Sequence, residues 1–515
     1  MTITQNWMSK SVFFFCALVA AHISLLAFAQ VTVLFAAIFV CVVLGGIWFL
    51  RRNFMQKLTP RKFALLLGGV SFLFYLIYVL NLQTPPVSDF ATMYNAAEEA
   101  AHGDFSTLHD NLYFYNWAYQ TGFVAWQAFF IRFFGAGVTF FKVTNVLFMA
   151  ITNVLIFAIA RRFASETAAR CVGILYALNP AHLFLASVLT NQHLTNILVL
   201  LAIYLYIANK DKPFVPRVLF AMLTGALIAF GNAIRPLGII AVVGIVFVEM
   251  LHFFGAIINP SARASKRKLT RKQKKQQTKE TAIAAVKQLI FPAAMSVVYL
   301  LMVMLLSFTV RASGLNPHGL SNNFPEWKFI VGLNAEHNGV WNPDDSAFIG
   351  PPSPERDILA REIISERLDN SPGHFLLLFN TKIQIMWAFQ DSPGPAFHHW
   401  EPSPHAAHSF RFLLLGETSV VDVMQRASFG FLCGIFVLFF LASWRLFRQK
   451  KGEDVFVPLF PIAIFLLYFG VHLLIEVQPR YRDFGMMFVF IAAAYGVEWL
   501  MKRRQNPSGK KSSLI

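Results

Sequence analysis

Long apolar runs, broken by short charged ones, set the pattern of this chain. Runs of roughly 20 residues stand near 11–29, 31–50, 63–81, 137–160, 171–187, 191–208, 217–233, 236–254, 286–310, 427–447, 455–474 and 482–500. As a helix, each is long enough to cross about 30 Å of hydrocarbon. The runs are continuously apolar, without the alternation of a membrane barrel, so helices are the spanning element that satisfies the backbone. The expected fold class is therefore an all-α polytopic membrane protein of about twelve transmembrane helices. The run at 11–29 could pass alone for a signal peptide, but 31–50 and then Arg51-Arg52 follow at once, which fits a helical hairpin.

The connections sort by charge. RRNFMQKLTPRK (51–62), the arginines at 161–170, NKDKPFVPR (209–217), KRKLTRKQKKQQTK (266–279), RLFRQKKGE (445–453) and KRRQNPSGKK (502–511) all fall on one side. By the positive-inside rule that side is the cytoplasm, so the reading is a multi-pass protein of the cytoplasmic membrane with both termini inside. Two long extracytoplasmic loops, 82–136 and 311–426, face the other way. Segment 116–134, NWAYQTGFVAWQAFFIRFF, is read as an interfacial or re-entrant helix, since a thirteenth crossing would put the basic run outside. Short helices are expected at 354–368 and 374–389. The organisation is then a two-helix addition (1–62), a transmembrane core (63–310) with a basic cytoplasmic loop at 255–285, an outer region (311–426) and C-terminal helices with a basic tail (427–515). No internal repeat supports an inverted-repeat transporter.

Composition agrees with this: 56% of the 515 residues are hydrophobic, 14% are charged, and Phe alone occurs 55 times. The formal charge of +17 would suit a nucleic-acid partner, but the bases sit in the loops, where they read first as topology signals, and no nucleic acid is expected. Segment 259–280 is too polar to fold by itself and suits anionic lipid head groups. Cys16, Cys41, Cys171 and Cys433 lie inside apolar runs without CxxC spacing, as packing residues.

Against so thin a charge supply, acids clustered at a membrane edge stand out. PPVSDFATMYNAAEEAAHGD (85–104) follows the third run, and Pro85-Pro86 stops the helix and stiffens the exit. Asp89 is the catalytic candidate, because a carboxylate there can meet an acceptor from water and a lipid-borne donor from the side; Ser88 or Asp89 equally suits an N-cap. Glu98, Glu99 and Asp104 read as a solvated face, and Tyr94 as a lining residue. At the junction of the last two runs, HLLIEVQPRYRDF (472–484) crowds Glu476, Arg480, Arg482 and Asp483. Arg480 offers a planar fork to a phosphate and Glu476 could orient it, or the two could simply close the hairpin. Lys382, followed by Trp387, is a second phosphate candidate or a snorkelling lysine. Asn191, Gln192 and His193 break an apolar stretch and either bond between helices or line the site. GLNAEHNGVWNPDD (332–345) carries Glu336 and Asn338 and could hold sugar hydroxyls or a divalent ion; an Asx-rich turn explains it as well. His398, His399, His405 and His408 raise zinc, but Pro402 and Pro404 prevent one helix from aligning them, so no metal site is assigned.

Four features, SDFATMYNAA in the first outer loop, YNWAYQTGFVAWQAFFIRFFG closing it, Arg235-Pro236, and the Glu476, Arg480, Tyr481 pattern, make residues 63–500 resemble the multi-spanning glycosyltransferases of the GT-C fold. That family uses polyprenyl-phosphate sugars and includes protein O-mannosyltransferases and lipid A aminoarabinose transferases. Ser88-Asp89 stands where the protein mannosyltransferases have an Asp-Glu pair, so a bacterial cell-envelope transferase is the nearer resemblance. It implies a GT-C-like core, a polyprenyl-phosphate (undecaprenyl-type) sugar donor and an extracytoplasmic acceptor, which could be glycopolymer, lipid or protein. Asp89 would be the base or acceptor-orienting carboxylate, and Arg480 with Tyr481 would neutralise the departing phosphate. The rival reading is a transporter or flippase of a lipid-linked sugar.

Overall fold

A computed structural model describes residues 7–29, 33–83, 85–258, 286–348, 350–388, 401–402, 417–450 and 454–504, with 276, 280 and 284 as isolated helical positions. Most of the 259–280 segment and all of His398, His399, His405 and His408 lie outside the described residues.

Helix occupies every predicted crossing. In chain order the helices are α1 (Trp7–Phe28), α2 (Val33–Leu50), α3 (Asn53–Lys57), α4 (Pro60–Asn81), α5 (Asp89–Ala101), α6 (Ser106–Asp110), α7 (Leu112–Asn116), α8 (Thr121–Phe134), α9 (Val138–Ala160), α10 (Glu166–Ala177) and α11 (Pro180–Leu185). They continue as α12 (Gln192–Ala208), α13 (Phe214–Ile234), α14 (Gly238–Ile258), α15 (Ile290–Ala312), α16 (Glu326–Leu333), α17 (Pro343–Ser346) and α18 (Pro354–Leu368). The last are α19 (Pro372–Ile383), α20 (Glu417–Arg448), α21 (Phe456–Leu474) and α22 (Arg482–Arg504). Among the described residues 9 helices are long and apolar enough to cross a membrane, and Leu34–Leu50 and Gln192–Ala208 are shorter apolar helices. A two-residue antiparallel ladder pairs β1 (Leu82–Gln83) with β2 (Glu401–Pro402).

The predicted crossing at 171–187 needs correction: it is two helices, α10 and α11. Pro180 has no amide hydrogen to continue the ladder, and Asn179 takes an extended conformation before it. The predicted membrane-edge helix at 116–134 is the turn of α7, a 3-10 turn (Ala118–Gln120) and the 14-residue α8, too short to span. Short helices stand where 354–368 and 374–389 were expected, the second ending in a π-helical turn, Gln384–Ala388.

Among the described residues, basic connections meet one another or neighbouring helix ends. Arg170 donates to the carbonyls of Met55 (2.5 Å) and Leu58 (2.6 Å), Lys210 pairs with Asp454, and Arg445 with Glu498. The two long connections close on each other: Tyr119 N donates to Ser321 O, Asn323 N to Asn116 O, and Arg356 to the Asn116 side chain. Helices α1 and α2 pack one face onto the bundle and keep the other exposed. Phe13, Cys16, Phe39 and Val43 belong to the same buried core as α20 and α22.

Glycines set the closest helix contacts. A Cβ on Gly225 of α13 would lie 2.2 Å from the Met295 carbonyl oxygen of α15. Gly225→Ala is expected to destabilise the protein by about 1–3 kcal/mol through forced separation of this pair. Thermal unfolding of the purified protein checks it, with Gly69→Ala, whose Cβ would meet nothing within 4 Å, as the unaffected control.

Candidate functional site

Helix α5 is amphipathic. Phe90, Met93, Ala97 and Ala100, at helical spacing, bury against Phe123, Val124 and Ala128 of α8. That packing fixes Asp89 at the first position of the helix, at its outward end. The expected cap is not made: Ser88 donates and accepts no side-chain capping bond and sits at φ 51°, ψ −136°, outside the regions open to most side chains. Asp89 is half-exposed, with Oδ2 3.9 Å from Nη2 of Arg480. The two poles singled out in the sequence therefore meet in space.

Arg480 stands on a 3-10 turn (Pro479–Tyr481) between an extended link and α22. Its guanidinium lies 5.1 Å from the Phe90 ring centroid and 5.7 Å from that of Tyr481, and its Nε is buried without a hydrogen-bond partner among the described residues. Gln192 Nε2 donates to the Arg480 carbonyl (3.1 Å), so the polar break at the start of α12 supports this turn.

The expected role of Glu476 as the direct holder of Arg480 is not what the geometry displays. Glu476 is buried, and its carboxylate is engaged by the Lys328 ammonium of α16, Gln478 Nε2 (2.6 Å) and the Tyr481 hydroxyl (3.4 Å). Its backbone amide also donates to the Lys328 carbonyl, and that of Val477 to Gly339. Burial would raise the Glu476 carboxyl, but the Lys328 charge and these bonds hold it below its usual range. Lys328 is in turn held charged: burial would lower it, and Glu476 overrides that.

Arg235, the residue before Pro236, is forced extended at the end of α13 and swings its guanidinium to 5.5 Å from the Tyr481 centroid. It donates to Asn191 Oδ1 (2.8 Å), and Asn191 Nδ2 donates to Gln120 Oε1. Lys328 is 5.8 Å from the same ring. Three cations, Arg235, Lys328 and Arg480, thus surround Tyr481 against two carboxylates, Asp89 and Glu476. The wall is completed by Tyr113 and Tyr119, whose hydroxyls burial keeps protonated, reinforced for both by the charge of Asp89.

Other candidates lie elsewhere. Lys382 is buried, its ammonium donating to the carbonyls of Gly332 (2.6 Å) and Leu473 (2.8 Å); it braces the site from behind rather than facing it. Trp387 is packed among Phe436, Phe465, Tyr468 and Phe469. Tyr94 is buried edge-on against Phe141, and burial, with Glu98 beside it, pushes its hydroxyl up to about 12. Glu336 and Asn338 are exposed on a tight turn in which Asn338 and Gly339 take positive φ. Nearby Asp345 is buried and consumed by Arg367, Asn334 and Asn342, which hold its carboxyl below the usual range against burial. Lys328 and Arg235 were the residues missed as phosphate candidates. The available signals were one lysine in the largely apolar helix EWKFIVGL and a cation fixed by a following proline.

No protein-family model matches the chain, and no curated protein sequence matches it. Among solved structures, the archaeal oligosaccharyltransferase AglB from Archaeoglobus fulgidus, in complex with an inhibitory peptide and a dolichol-phosphate, aligns with 88% of this chain at TM-score 0.40 and 12% identity. The chain spans about half of that protein, 53% of its length.

Two measurements test these placements. Asp89→Asn is expected to alter unfolding free energy by less than about 1 kcal/mol, because the pair is long and solvent-screened. Glu476→Gln should cost more, about 3–5 kcal/mol, by leaving Lys328 without its counter-charge; equal effects in chemical unfolding would contradict the assignment. Burial also lowers Lys382 from 10.5 to about 7, with Glu476 opposing. Between those values the unfolded chain binds the extra proton, so stability should rise with pH across the window. Lys382→Met should flatten that rise in melting curves recorded from pH 7 to 10.

Proposed function

We propose that this protein is an integral-membrane glycosyltransferase that moves a sugar from a polyprenyl-phosphate donor to an acceptor outside the cytoplasmic membrane, with inversion by a single displacement. The observation that carries this reading is the half-exposed carboxylate of Asp89 beside a surplus of cations at one end of the bundle. Glycosyl transfer builds positive charge at the anomeric carbon and negative charge on the departing phosphate oxygen, so a carboxylate and a set of cations are wanted on its two sides.

Asp89 orients the acceptor hydroxyl and takes its proton as the new glycosidic bond forms. The C–O bond to the phosphate breaks, and its electron pair leaves on the phosphate. Arg480 receives that charge with its free Nε and two further nitrogens, while Arg235 and Lys328 add to the local potential. Tyr481 holds the three cations apart on its ring and carries the hydroxyl nearest the Glu476 carboxylate. Glu476 keeps Lys328 charged and the extended link in place, so its contribution is positioning.

Purified protein in proteoliposomes, offered a panel of undecaprenyl-phosphate sugars with envelope acceptors, tests the proposal. Asp89→Asn should lower transfer at least about 100-fold with unchanged melting behaviour. Arg480→Ala should raise the donor KM and lower kcat. Near-normal transfer by Asp89→Asn would sink the assignment, and lipid movement across the bilayer without any new glycosidic bond would favour a flippase.

A further inference from the structure

Three residues beyond Arg480, the chain buries a second polar cluster that the proposed reaction does not use. One nitrogen each of His182 and His193 and one carboxylate oxygen of Asp483 lie within 4.8 Å of one another, and all three residues are buried. They come from α11, α12 and the first turn of α22. The His182 Nδ1 to Asp483 Oδ1 separation is 3.1 Å. Two donors on one tetrahedral ion, each about 2.0–2.1 Å from it, stand about 3.3 Å apart, so the pair is already near ligating geometry.

We infer that His182, His193 and Asp483 bind one first-row divalent transition-metal ion, zinc foremost, as a positioning site within the membrane body. Two imidazoles and one carboxylate are a donor set that suits zinc and excludes the all-oxygen preference of calcium or magnesium. The surrounding contacts are those of an outer shell. Asn196 Nδ2 donates to Asp483 Oδ2 (2.7 Å), which turns the other oxygen toward the histidines. His193 Nε2 donates to the Leu185 carbonyl (3.2 Å), a bond that fixes the tautomer and leaves Nδ1 with its lone pair. The Tyr176 hydroxyl lies 3.4 Å from His182 Nδ1. Neither ring is supplied by the histidines of 398–408.

The ion ties together the broken crossing at Pro180, the polar start of α12 and the first turn of α22. His193 follows Gln192, which supports the Arg480 carbonyl, and Asp483 follows the Arg480 turn. The ion is therefore assigned to hold that turn in register, and no step of the transfer passes through it.

The full chain, purified in detergent without added metal and then titrated with zinc and cobalt against a chromophoric chelator, should take up one ion per chain. His193→Asn should cut occupancy at least tenfold, whereas a variant with His398, His399, His405 and His408 all changed to Asn should keep it. Should His193→Asn fail to fold, X-ray absorption of the zinc-loaded wild type decides, with two imidazoles expected per ion. Wild-type protein that takes up neither metal, occupancy that follows the four distal histidines, or an ion with oxygen ligands only would each overturn the inference. None of these readouts depends on sugar transfer, so failure of the metal site and failure of the proposed reaction are distinguishable.

Discussion

Glu476 is a carboxylate buried between the last two long helices of a membrane bundle, and the shape of the site follows from how it is satisfied. An unpaired charge there would cost several kcal/mol. Its side chain therefore takes Lys328 from the long outer connection, Gln478 from its own link and the Tyr481 hydroxyl. The backbone on either side is bonded to α16 and to the turn at Gly339. Gly332 is needed for that approach, since a Cβ there would lie 2.4 Å from the Leu474 carbonyl. One satisfied charge thus welds the outer connection to the last hairpin and presents Arg480 to Asp89.

Much of this was legible because a membrane makes polar placement expensive. The apolar runs located the helices, and the sorting of basic connections put Asp89 and the 472–484 segment on one side, where they meet. Asn191 and Gln192 were conspicuous for the same reason, and both are hydrogen-bonded into the site. What stayed hidden depends on tertiary contact. Hydropathy could not tell a continuous crossing from one broken at Asn179-Pro180, since both stretches are equally apolar. Spacing suggested that Glu476 holds Arg480 four residues on, but a lysine distant in sequence engages the carboxylate, and Arg480 acts on it through its charge alone. Lys382 read as a phosphate ligand or a snorkelling lysine, yet its ammonium ends on two carbonyls inside the protein.

Two polar centres flank the Arg480–Asp483 corner and divide the labour. The one at Tyr481 is partly open, holds an excess of cations and has a guanidinium nitrogen without a partner among the described residues. The inner one is closed, rich in imidazole and tied by outer-shell bonds. A short stretch of backbone therefore carries both the group proposed to meet a phosphate and the group proposed to anchor a metal.

The ownership of Lys328 adds a property of its own. Arg235 and Arg480 are fixed at helix ends in the bundle, whereas Lys328 arrives on the outer connection. With that connection seated, three cations around Tyr481 outnumber two carboxylates. Lifted away, it takes one cation with it and bares the Glu476 carboxylate, so the remaining charges balance. The outer connection thus owns part of the charge at this end of the bundle: the net positive sign around Tyr481 holds only while Lys328 is in place on Glu476.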